Sequence, residues 1–174
     1  MIQATRDLDW LNTLPSEEAE KELLQCCGSS RWAQQMVMGR PYSQLETMLA
    51  SANDIWWSLQ SADWMEAFRS HPKIGEKKAA GSVSDQSRQW SGQEQAGVRN
   101  ASRGTVDSLA KLNQSYEQKF GFIFIICATG KSSDEMLAAL RKRLENDPGT
   151  ELPIAAAEQS KITELRLKKL VNRS

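Results

Sequence analysis

Apolar residues recur every three or four positions along most of the chain, and helix-capping residues or helix breakers separate the runs. Ser16 precedes Glu17, Glu18 and Glu20, which places acids in a first turn, and Gly28 follows Cys27 as a stop. Ser30 starts a short helix carrying Trp32 and Met36, ended by Gly39 and Pro41. Ser43-x-x-Glu46 has the form of a capping box, and behind it Leu45, Met48, Leu49, Ala52, Ile55, Trp56 and Leu59 keep a helical period. Asp63-x-x-Glu66 offers another box; Trp64, Phe68 and His71 then share one face until Pro72 forces a stop. Residues 73–89 show no period and hold Lys73, Gly75, Glu76, Lys77, Lys78 and Gly81. A loop of that length inside a compact domain is uncommon and often functional.

Ser91-x-x-Glu94-Gln95 opens a long predicted helix in which Val98, Ala101, Thr105, Leu109, Leu112, Tyr116 and Phe120 form the apolar row. Gly97 and Gly104 each weaken it by about 1 kcal/mol relative to alanine, so close packing is expected at both. Phe122 to Ala128 is β-branched and aromatic, but no second strand exists to pair with it. It is expected to be a buried extended segment or a helix start, and not part of a sheet. Ser132-x-x-Glu135 caps a helix with Met136, Leu137, Leu140 and Leu144, and Asn146-Asp147-Pro148-Gly149 breaks it. A last helix runs from about Ile154 to Val171. The class is all-α, a compact bundle of seven or eight helices in one domain spanning residues 1–174.

Charge changes this picture by exclusion. The 22 basic and 22 acidic residues cancel, so no basic excess points to nucleic acid. The longest apolar run, Phe122 to Ala128, falls far short of the roughly 20 residues that span a membrane. Three cysteines and a single histidine supply neither a disulfide framework nor metal-ligand spacing, and they fit a reducing cytosol. The N-terminal segment carries acids where a signal peptide would be apolar, so the chain reads as soluble and intracellular.

Four places hold candidate chemistry. His71 is the only histidine, and an unperturbed imidazole titrates near 6.5, which suits proton transfer. A helix C-terminal histidine favoured by the dipole is the alternative. Ser91, Glu94 and Gln95 form a polar group at a predicted helix start, which reads either as a capping box or as a ligand site at an N-terminus. Arg166 lies between Ile162 and Leu170 in an apolar row, so its guanidinium needs a partner: a structural ion pair, or a planar ligand. Cys127 sits in the most apolar run and reads as a core thiol. Gly130-Lys131-Ser132 lacks the upstream glycine of a phosphate loop, since Ile125 stands there.

Taken in order, Cys26-Cys27-Gly28-Ser29-Ser30-Arg31-Trp32, Arg40-Pro41-Tyr42, His71-Pro72-Lys73-Ile74-Gly75, Ser91-x-x-Glu94-Gln95, Phe124 to Ala128 and Leu165-Arg166-Leu167 resemble the decarboxylases of 2-oxo-4-hydroxy-4-carboxy-5-ureidoimidazoline (OHCU) in urate catabolism. The resemblance runs from about Asn12 to Lys169. It implies an all-α, usually dimeric, cytoplasmic enzyme without cofactor or metal, acting on OHCU downstream of urate oxidase and hydroxyisourate hydrolase. It implies catalytic roles for His71 and Glu94, and a pocket formed by Pro72, Ser91, Gln95, the backbone from Ile125 to Ala128, and Arg166. Lys73 departs from the arginine common there. At this length a stand-alone decarboxylase is expected, without the hydroxyisourate hydrolase to which some members are fused. Two other classes compete: a thiol hydrolase built on Cys127, His71 and Glu94, and a non-catalytic helical interaction module.

Overall fold

The computed structural model describes residues 6–74, 85–98 and 101–172. Among them are nine α-helices, one 3-10 turn and no paired sheet. The helices are α1 (Leu8–Thr13), α2 (Ser16–Leu24), α3 (Ser30–Met38), α4 (Leu45–Ser58), α5 (Ser61–Arg69), α6 (Asp85–Glu94), α7 (Arg103–Phe120), α8 (Ser133–Leu144) and α9 (Pro148–Leu170). The all-α expectation holds, with one or two more helices than the periodicity suggested. No helix among the described residues is long and apolar enough to cross a membrane.

Two compact units divide the described residues: those up to Ala67 together with those from Ser160 on, and those between Phe68 and Gln159. In the first, Leu11, Leu23, Trp32, Met36, Met48 and Leu167 are fully buried. The Trp32 indole N–H donates to the Ala52 carbonyl at 3.1 Å, which satisfies the one polar atom of a buried ring. Ser29 caps α3 by accepting from the Trp32 amide at 3.2 Å. Glu66 reinforces that end, accepting from the Ser30 amide at 2.6 Å and the Ser30 hydroxyl at 3.2 Å. The expected Asp63-x-x-Glu66 box therefore does not form. Instead α5 starts at Ser61, and Asp63 accepts from the Gln60 amide at 3.2 Å. Ser43 caps nothing either: α4 begins after Gln44, which makes Glu46 the second helical residue and not the third that a box requires. Ser16 is the first residue of α2, behind Pro15, and makes no cap hydrogen bond.

The second unit is built on an aromatic cluster. Tyr116 on α7 packs against Phe120, Phe122 and Phe124, with centroids 4.5, 5.8 and 5.4 Å away. Beside it lies a buried ion pair. Arg143 donates from Nε and Nη2 to Glu151 Oε1, both at 2.6 Å, and the Tyr116 hydroxyl donates to the same oxygen. Burial, reinforced by the bond to Glu151, pushes the Tyr116 phenol well above its ordinary range, so it stays a donor.

Residues 122–128 follow the expectation of burial without a sheet: Phe122 and Phe124 to Ala128 are buried and belong to no helix or strand. Side chains take over the role of a neighbouring strand. The Ile125 carbonyl accepts from Arg143 Nη1 at 2.6 Å, and the Cys127 carbonyl accepts from Lys131 Nζ at 3.0 Å.

The largest departure lies between residues 85 and 103. Residues 85–89, expected in a loop, begin α6, while residues 75–84 of that expected loop lie outside the described residues. Ser91 and Glu94 stand in the last turns of α6 and not at a helix start. The chain then makes a 3-10 turn at Ala96–Val98, and α7 begins only at Arg103, capped by Ser102. Gly97 explains the break. A Cβ there would collide with the Lys131 carbonyl oxygen, so the turn sits directly against the backbone that leads into α8. Close packing at Gly97 is thus present, but at Gly104 a Cβ would meet nothing within 4 Å. Ser132 caps α8 as expected, accepting from the Glu135 amide at 3.1 Å. Helix α9 starts at Pro148, earlier than predicted, because proline suits a first helical position and Asp147 accepts from the Thr150 amide and hydroxyl.

Candidate active site

Helix α5 ends at Arg69, and His71 follows two residues later with its amide donating to the Phe68 carbonyl at 3.2 Å. Pro72 restricts the His71 backbone from the other side. His71 is 8% exposed, and its ring Nε2 lies 2.6 Å from Oε1 of Gln159. Gln159 is completely buried on α9. It was not singled out from sequence. Its signal was its place in the row Ala155, Ala156, Gln159, Ile162, where an uncharged amide stands among apolar neighbours.

On α6, Ser87, Ser91 and Glu94 recur at helical spacing and are all buried, so one face of a short helix turns polar groups inward. Gln95 is half-buried just beyond the helix end, its amide donating to the Ser91 carbonyl at 3.1 Å. The reading of Ser91 and Glu94 as a capping box, or as an anion site at a helix N-terminus, does not survive this placement. Both side chains are buried instead.

Cys127 ties these pieces to the buried segment. Desolvation raises its thiol pKa; the carboxylates of Glu158 and Glu94 push the same way, and the backbone of Thr129 and the Lys131 ammonium push against. Glu94 is therefore close enough to Cys127 for its charge to be felt there, as is Glu158, the neighbour of Gln159. Ile125 and Ala128 are buried on that segment. Lys73, next to Pro72, pairs with Glu117 at 2.8 Å. A thiol held protonated among carboxylates is a poor nucleophile, and this counts against the thiol hydrolase.

Arg166 belongs to the other compact unit. It is buried there, and its Nη1 donates to the Gln25 carbonyl at 3.1 Å. It also acts electrostatically on Cys27, whose thiol burial pushes up to about 12. The expected need for a partner is met at least in part by this carbonyl. Among the described residues no three His, Cys, Asp or Glu side chains gather where they could hold one metal ion.

Residues 12–168 match the family model described as OHCU decarboxylase. The chain belongs to the OHCU decarboxylase family. It is 44% identical to the uric acid degradation bifunctional protein TTL of Arabidopsis thaliana, over 88% of this chain and 48% of that protein, so it spans about half the length of that relative. It is 34% identical to the 2-oxo-4-hydroxy-4-carboxy-5-ureidoimidazoline decarboxylase of Amia calva, over 76% of this chain and 75% of that one. Among solved structures, an OHCU decarboxylase crystallised in the presence of (S)-allantoin superposes with a TM-score of 0.75 at 42% identity, over 86% of this chain and 96% of that one. An (S)-allantoin synthase shares the fold at 18% identity, with a TM-score of 0.69 over 95% of this chain and 54% of that one.

Proposed function

We propose that this chain is a carboxy-lyase that converts OHCU to (S)-allantoin and carbon dioxide, as one decarboxylase domain. The observation that carries the reading is His71 itself: the only imidazole in the chain, buried, and held at one ring nitrogen in a chain of this family. The reaction needs no external electron sink. As the C4–carboxylate bond breaks, its electron pair forms a C4–C5 double bond, and the neighbouring ring nitrogen takes the displaced C=N pair and a proton. The 4-hydroxyl then loses its proton as the C4 carbonyl forms, and C5 gains one. Delivery to a single face of C5 sets the S configuration.

In this scheme His71 bonds the 4-hydroxyl and carries its proton. Glu94 and Gln95 hold the ureido N–H groups, supported by Ser91, and Pro72 with the backbone from Ile125 to Ala128 shapes the pocket. Arg166 is assigned the ring carbonyl or the ureido oxygen on the resemblance alone. An arginine clamped on the leaving carboxylate would stabilise the ground state and slow its loss. The same reading takes the protein as a cytoplasmic homodimer working beside urate oxidase and hydroxyisourate hydrolase; sedimentation of the purified protein tests the dimer.

The activity is tested by adding the protein to freshly generated OHCU and following its ultraviolet absorbance. Loss well above the spontaneous rate supports the reading, and loss at the spontaneous rate supports a non-catalytic module. Cys127→Ser should retain turnover within about threefold and thiol alkylators should not inactivate, because a buried protonated thiol takes no part. Loss of activity in Cys127→Ser would favour the thiol hydrolase.

A further inference from the structure

We infer that Gln159 is a positioning residue that fixes the tautomer of His71, so that Nδ1 is the ring nitrogen that takes the substrate proton. This rests on the reading of His71 as the proton carrier. Gln159 presents its carboxamide oxygen to Nε2 at 2.6 Å. A carboxamide oxygen only accepts, so Nε2 must carry the hydrogen. A neutral imidazole has one N–H, which leaves the basic lone pair on Nδ1. The opposite tautomer would set the Nε2 lone pair against the Gln159 oxygen, and with Gln159 completely buried little water is at hand to relieve it.

The rest of the setting serves the same end. The backbone and the ring are each held: the His71 main-chain amide donates to the Phe68 carbonyl, and ring Nε2 donates to Gln159. Pro72 narrows the backbone freedom between them. Gln159 rides on a 23-residue helix, a rigid support for a residue that orients another. Its neutrality matters too. A carboxylate in its place would favour the imidazolium, which has no lone pair to accept a proton, whereas an amide orients the ring without charging it.

Because His71 is the only histidine, nitrogen NMR of protein labelled in the imidazole reads its tautomer without assignment ambiguity. Above the titration of the ring, the wild type should show Nε2 protonated and Nδ1 unprotonated. Gln159→Leu keeps the volume and removes the acceptor. It should give a mixture of tautomers and lower kcat by about tenfold or more, with KM within about twofold, as misoriented catalytic imidazoles do. A wild-type ring protonated at Nδ1 would overturn the inference, as would a Gln159→Leu protein with unchanged tautomer or unchanged kcat. The wild-type spectrum decides the ring assignment even where the variant folds poorly. A wild type with the inferred tautomer but no OHCU turnover would overturn the decarboxylase reading, and with it the catalytic role of Gln159, while leaving the ring geometry standing.

Discussion

Replacing His71 by asparagine or alanine is expected to slow OHCU turnover by roughly 10²- to 10⁴-fold, the range that a positioned proton-transfer group contributes. No other imidazole exists to take over, because the chain has one histidine. The effect should fall on kcat, since the proton moves in the chemical step, with a smaller change in KM. The fold should survive. His71 follows the end of α5, the hydrogen bond from its main-chain amide to the Phe68 carbonyl involves only backbone, and the bond to Gln159 is among the side-chain interactions lost. Asparagine keeps a polar group facing that amide and is the milder structural change. Steady-state rates read together with thermal melts separate the two effects. A His71→Asn protein that turns over at the wild-type rate would remove the imidazole from the mechanism.

Arg143→Ala is expected to cost about 3–5 kcal/mol of stability, the range for breaking a buried ion pair by removing one partner. Arg143 is 7% exposed, and its guanidinium makes two bonds to Glu151, donates to the Ile125 carbonyl, and lies 4.5 Å from the Phe124 ring centroid. Truncating it leaves the fully buried Glu151 carboxylate with the Tyr116 hydroxyl and the Asn146 amide as its side-chain donors among the described residues, and takes away the Arg143 donor to the Ile125 carbonyl. Lysine is a poor substitute, because a point charge cannot reach Glu151 and Ile125 at once with the geometry of a planar fork. Replacing the pair together, Arg143→Met with Glu151→Leu, should recover much of the loss. Urea denaturation of the three proteins checks this, and an unchanged midpoint in Arg143→Ala would contradict it. Since Arg143 anchors the segment proposed to line the pocket, some loss of turnover should accompany the loss of stability.

Which features could be read from sequence follows from how local their causes are. Ser132 caps α8 because its partner, the Glu135 amide, lies three residues away. The burial of residues 122–128 without a sheet followed from an apolar run with nothing to pair against. What the periodicity missed depends on distant chain. The row through Glu94, Val98 and Ala101 keeps a spacing of three or four, so it reads as one helix, yet the Lys131 backbone at Gly97 breaks it into α6, a 3-10 turn and α7. Glu66 looks like the end of a capping box, but its partner is Ser30, 36 residues earlier. Gln159 stood out only as an amide in an apolar row, and its partner could not be read locally, because His71 lies 88 residues before it. Single residues with chemical character were legible, and the groups that orient them were not, because orientation is a tertiary property.

The most direct test generates OHCU in place from urate with urate oxidase and hydroxyisourate hydrolase, adds this protein, and follows circular dichroism. The account predicts a fast rise of one sign to optically pure (S)-allantoin. A slow decay to racemic product, at the rate seen without the protein, would contradict it.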